Sequence, residues 1–198
     1  MVVSQQTAKQ LVLQAVALME EYLVNRPKEP VASAYRSDVL LSLPLPPVWL
    51  KPHIHRDQAA RVAADRALNS KDKVGYLAAG ECAVHAMTRI WLLLAGANRE
   101  AIASRGVEKD EFPPLIKAAE ALRDSSLVVS DQDMSGGEIT MATRRFIEQS
   151  QLQFVVVDDP DVEALRNPQL LPEVERWRVR MEFREAVQGT NVTMILPG

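Results

Sequence analysis

From Lys71 to Ala95 the chain is apolar on nearly every side that a helix would present. Leu77, Val84, Met87, Trp91 and Leu94 fall on one face, and Ala79, Ala83, Ala86, Ile90 and Leu93 on another. A helix with so little polar surface has to lie among neighbours. The stretch predicts a central buried helix, ended by Gly96 and Asn98, and the rest of the chain must cover it. A chain of 198 residues can do so without metal or disulfide, since this size buries roughly 70% of the surface exposed on unfolding.

The segments before residue 150 read mainly as helices. Ser4 is a plausible N-cap, and Leu11, Ala15, Leu18 and Tyr22 recur at helical spacing with Val12, Val16, Met19 and Leu23 beside them, until Pro27 stops the run. Ser33 to Leu43 predicts a short second helix. Pro44, Pro46, Pro47 and Pro52 then impose an extended strap, which Trp49 and Leu50 should hold against the core. His55 to Leu68 predicts a helix with Asp57, Arg61 and Asp65 forming a solvated ion-pair face. Pro113 and Pro114 suit the first turn of a helix that buries Leu115, Ala118, Ala119 and Leu122. Ser130 to Gly137 reads as a polar surface loop, followed by a helix from Glu138 to Gln149 with Ile139, Ala142 and Phe146 inward.

Beyond residue 150 the period changes. Leu152 to Val157 is a β-branched run stopped by Asp158, Asp159 and Pro160. Trp177, Val179, Met181 and Phe183 alternate with Arg178, Arg180, Glu182 and Arg184, which is the period of a half-buried strand. Pro172, Glu173 and Glu175 would also start a helix, but the alternation carries more residues and is preferred. Val192 to Leu196 supplies a partner strand. The predicted fold is a single α+β domain over residues 1–198, predominantly helical. It has a helical bundle around the central helix to about residue 150 and a small antiparallel sheet in about 151–198.

Two groups of residues could carry chemistry. His53 and His55 lie on one side of an extended segment, and Cys82 and His85 are three apart on the central helix. If the strap crossed that helix, the four could form a nitrogen and sulfur set suited to tetrahedral zinc. No Cys-x2-Cys pair accompanies them. The favoured reading is a buried structural cysteine beside a polar stripe, Glu81, His85, Thr88 and Arg89, that satisfies itself, and no cofactor is expected. The second group is basic: Arg144 and Arg145, with Arg178, Arg180 and Arg184 on the outer face of the C-terminal strand. Glu173, Glu175, Glu182 and Glu185 are interspersed, and the whole chain has a net charge of −3, so no global basic excess favours a phosphate backbone.

Glycine-rich phosphate loops, nucleophile elbows and zinc-finger spacings are absent from the sequence. Val155 to Asp159 resembles a strand ending in acidic metal ligands. Without alternating strands and helices around it, the acidic pair reads as an ordinary turn. One cysteine, no secretory leader and a longest apolar run of only Ile90 to Ala97 point to a cytoplasmic chain with no membrane segment. The expected function is a non-enzymatic protein–protein interaction or assembly subunit of an intracellular complex. The alternatives are a nucleic-acid-associated accessory protein using the C-terminal arginines, or a metal-dependent enzyme using the histidines and Cys82.

Overall fold

The computed structural model describes residues 5–25, 53–131, 139–159 and 172–196. The predicted second helix and the proline-rich strap lie outside these residues. So does 132–138, most of the predicted loop; Ser130 itself is buried at the end of a strand.

In chain order the elements are β1 (Gln5–Thr7), α1 (Ala8–Asn25), α2 (Ile54–Asn69), β2 (Val74–Leu77), α3 (Ala83–Leu94), α4 (Arg99–Arg105) and a 3-10 turn at Lys109–Glu111. Then come α5 (Phe112–Arg123), β3 (Leu127–Ser130), α6 (Ile139–Ser150), β4 (Phe154–Val157), α7 (Pro172–Val187) and β5 (Thr193–Ile195). The fold is thus predominantly helical with a small sheet, as expected, but the sheet is neither antiparallel nor confined to the C-terminus. Its order is β1-β3-β2-β4-β5. Only the β1–β3 edge pairing is antiparallel; β3–β2, β2–β4 and β4–β5 are parallel. With β1, β2 and β3 all before residue 150, the division into a helical part and a β-containing remainder does not hold.

Strand parity shows how the layers form. Val74, Tyr76, Leu127, Val129, Phe154 and Val156 turn to one face, where α1, α2, α3 and α5 cover them. Leu77, Val128, Val155 and Val157 turn to the other, against α6 and α7. Each of β2, β3 and β4 is buried along its whole length. The connection from β2 to β3 uses the first face and the connection from β3 to β4 crosses back over the second. Opposite directions need opposite faces if both crossovers are to keep the same hand.

Two predicted elements are corrected. The central helix begins at Ala83, not Lys71, because Val74–Leu77 is the middle strand of the sheet. The segment from Trp177 to Arg184 is helical, not a strand: Val179 and Phe183, four apart, are both fully buried, whereas Trp177 is 66% exposed. The acidic first turn at Glu173 and Glu175 suits the helix dipole.

Gly75 in β2 faces Phe146 of α6 and Leu152 just beyond it, and a larger residue would have to displace them. A Cβ would overlap Leu152 Cδ1 and approach Phe146 Cε1 to 2.7 Å. Gly75→Ala is expected to destabilise the chain by about 1–3 kcal/mol in denaturant unfolding, the cost of overpacking a core. An unchanged midpoint would show that α6 is free to shift away from the sheet.

Candidate functional site

Leaving β2, the chain goes first to β3 on one side and later to β4 on the other. The crevice outside the carboxyl ends of β2 and β4 is therefore the topological switch point, where open α/β sheets hold their ligands. Here Asp158 fills it. Its backbone N–H donates to Leu77 O at 3.0 Å, and its Oδ1 accepts from Ala79 N–H at 2.7 Å. At the next strand end, Asp131 Oδ2 accepts from Ala83 N–H at 2.9 Å, on the first residue of α3.

Around these carboxyls lies a dense charge cluster. Arg56, near the start of α2, donates from Nη2 to Ala79 O at 2.8 Å and places Nη1 3.3 Å from Glu81 Oε2. Arg89 of α3, 1% exposed, donates from Nη2 to Glu81 Oε2 at 3.2 Å and from Nη1 to Asp57 Oδ1 at 3.3 Å. Arg99 of α4 grips Asp57 with both terminal nitrogens, Nη1 at 2.9 Å from Oδ1 and Nη2 on Oδ2. Of the predicted solvated face of α2, Arg61 and Asp65 are exposed as expected, but Asp57 turns into this cluster. Burial alone would raise the Asp57 carboxyl, but the hydrogen bond and charge of Arg99, the His53 N–H and Arg89 outweigh it and hold the group below its ordinary range.

Asp158 is in the opposite situation. Burial pushes its carboxyl up to about 7; Arg56 offsets part of the rise, and Glu81 and Asp159 add to it. Three buried polar atoms in this region have no hydrogen-bond partner among the described residues: Asp158 Oδ2, Arg56 Nε and the Tyr76 hydroxyl. Burial, and then the charges of Asp158 and Glu81, drive the Tyr76 phenol well above its ordinary value.

The predicted metal set is divided among these elements. His53 is the N-cap of α2, its Nδ1 accepting from Arg56 N–H at 3.4 Å. Its Nε2 is 3.5 Å from Asp159 Oδ2. Burial and then Arg56 lower the imidazole pKa, with Asp159 opposing them in part. His55 stands 6.2 Å from His53, ring to ring. Cys82 occupies the N-cap position of α3 without capping it and is exposed, not buried as expected. His85 is half-buried on α3. Among the described residues no group of three or more His, Cys, Asp or Glu side chains is arranged to hold a metal ion.

The arginine set is also distributed. Arg178 donates to Glu175 and Glu182 along α7. Arg144 donates to Glu185 O at 2.9 Å and Ala186 O at 3.3 Å, satisfying carbonyls at the end of α7. Arg145 and Arg184 are exposed, and Arg180 is half-buried.

Reasoning from sequence missed Arg56, Arg99, Tyr76 and Asp131, and took Asp158 and Asp159 for a turn. One signal was present. Three short apolar runs each end in an acidic residue, at Glu81, Asp131 and Asp158, which is how the carboxyl edge of a parallel sheet would look here.

These features define a class: an open, doubly wound sheet whose switch point is occupied by the chain's own charged side chains. No protein-family model matches the chain, and no curated protein matches it. Among the described residues, no helix is long and apolar enough to cross a membrane.

Proposed function

We propose that the chain is a non-enzymatic interaction or assembly subunit, with a switch-point crevice closed by its own side chains. One observation carries this reading. The backbone N–H groups of Ala79 and Ala83, at the turn where such sheets receive phosphate or other anions, already donate to Asp158 and Asp131. Both amides are thus taken by side chains of the chain itself, with Glu81 and Asp159 beside them, so an entering anion would find neither N–H open. Phosphate, mononucleotides and dinucleotides are expected to leave the melting temperature unchanged. A concentration-dependent rise with any of them would point instead to a ligand-binding protein.

The surface offered to a partner is the outer side of α7. Val174 and Trp177, three apart, are 47% and 66% exposed, and exposed tryptophan is a common anchor of protein interfaces. Arg178 and Arg144 are engaged within the fold, which weighs against the nucleic-acid alternative and leaves it resting chiefly on Arg145 and Arg184. The test is to recover tagged chain from the cells that make it and measure binding of the co-purified protein. Trp177→Ala is expected to weaken that binding by at least about tenfold, the effect of losing an interface anchor, without moving the melting temperature. Undiminished binding by the variant would place the interface elsewhere. Salt-sensitive binding to RNA or DNA would favour the arginine reading.

A further inference from the structure

Ala79, in the turn between β2 and α3, is held through both of its backbone polar groups. Its carbonyl accepts from Arg56 on α2, and its N–H donates to Asp158 beyond β4. The same turn is also held by the Ala78 N–H on Ser130 O at 2.8 Å and the Ala83 N–H on Asp131, so Arg56 and Asp158 fix its middle.

The charges around Asp158 do not balance. It faces Arg56 from α2, Glu81 from the turn, Tyr76 from β2 and its neighbour Asp159, with His53 behind. Arg89 of α3 binds Glu81 and Asp57, and Asp57 is shared with Arg99. Among the described residues, three guanidinium groups thus stand among four carboxyls, Asp57, Glu81, Asp158 and Asp159. Arg56 is shared by Glu81 at 3.3 Å, Asp159 at 3.8 Å and Asp158 at 3.9 Å, and Asp158 is the farthest of the three from it. Asp158 is 0% exposed, its Oδ2 accepts no hydrogen bond from the described residues, and Arg56 Nε lies 3.9 Å away, within ion-pair range but beyond hydrogen-bond reach. A buried carboxyl so placed binds a proton in preference to remaining charged.

We propose that Asp158 is a proton-operated latch on the crevice. Its Oδ1 accepts from the Ala79 N–H in either form, and that bond strengthens on ionisation; on losing its proton the buried group nevertheless becomes a poorly balanced charge between Glu81 and Asp159, whose cost outweighs the bond and releases the turn. The step is a simple ionisation: the O–H bond at Oδ2 breaks, its electron pair stays on the carboxylate, and the proton passes to solvent.

The sign follows from linkage. With the turn closed the carboxyl titrates near 7, and with the turn open and solvated it returns toward its ordinary 3.8. The closed state is favoured in full below about pH 4, loses ground by up to about tenfold per pH unit as pH rises to about 7, and is level above that. His53 works the other way. Its lowered imidazole pKa makes protonation favour opening as pH falls below about 6.5, so the test uses His53→Asn, which keeps a capping side chain.

In that background, amide hydrogen exchange at Ala79 and Ala83 is measured by NMR at about pH 5 and about pH 7, corrected for the intrinsic chemical rate. The opening constant is expected to rise about 10- to 100-fold between the two. It should show no such rise when Asp158→Asn is added. A level opening constant with Asp158 present, or the same rise with asparagine in its place, would overturn the latch. Should the asparagine variant not fold, the side-chain carbon signal of Asp158 in the native sequence gives the answer directly. A midpoint near 7 matched by the rise in Ala79 opening supports the latch; a midpoint in the ordinary carboxylate range, or one near 7 with level opening, sinks it.

Discussion

Arg89→Met is expected to cost about 3–5 kcal/mol in denaturant unfolding at neutral pH, the usual effect of removing one partner from a buried ion network. Methionine fills much of the space of the arginine stem, so the loss reports the charge more than a cavity. Arg89 binds Glu81 and Asp57 at once, and the Glu81 side chain is only 2% exposed. After the substitution Glu81 keeps Arg56 as its only remaining charge partner among the described contacts, at 3.3 Å. Lysine should not restore the loss, because one ammonium cannot reproduce a planar fork that spans two carboxylates. Adding Glu81→Gln to Arg89→Met should recover part of the stability, since the two changes share one interaction and cannot be additive. A cost below about 1 kcal/mol for Arg89→Met would mean that the cluster is solvated rather than closed.

Trp91→Ala should cost a similar amount, about 3–5 kcal/mol, for a different reason. Trp91 is 5% exposed, and its Nε1 donates to Leu115 O at 2.8 Å, tying α3 to the first turns of α5. The alanine variant loses both the ring volume and that hydrogen bond. Trp91→Phe keeps most of the volume and isolates the polar part, for which about 0.5–1.5 kcal/mol is expected, since Leu115 O loses the indole but keeps its place in the α5 ladder. If alanine cost less than about 1 kcal/mol, α5 would not be packed on α3 as described.

Some elements could be read from the sequence with little error. The helices α1, α5 and α6 bury the residues that their periodicity singled out: Leu11 and Ala15; Leu115, Ala118 and Leu122; Ile139, Ala142 and Phe146. The run ending at Val157 is a strand. In each case the pattern is local, carried by one apolar stripe or one β-branched run bounded by residues that stop it.

The misreadings share a cause. Val74–Leu77 and Leu127–Ser130 are covered on both faces, so they have no alternation to display and merge with neighbouring apolar sequence. Taking the first of them for helix also removed the strand–helix alternation that would have given the acidic end at Asp158 a different meaning. In α7 the alternation of Trp177, Val179, Met181 and Phe183 was a coincidence of composition. Only Val179 and Phe183 are fully buried, and their spacing is that of a helix.

What the sequence determined by itself was therefore each element whose signal lies within a few residues: the amphipathic helices, the stop at Asp158–Asp159, the proline at the start of α5. Tertiary structure alone decided the order of the strands and, with it, the site. Arg56, Glu81, Arg89, Arg99 and Asp158 are spread over more than half the chain. Nothing local marks them as neighbours, because a charged residue looks the same in sequence whether it faces water or another charge. They meet because β2 pairs with β4 across a crossover, and that pairing turns an ordinary-looking acidic turn into a buried, unbalanced carboxyl.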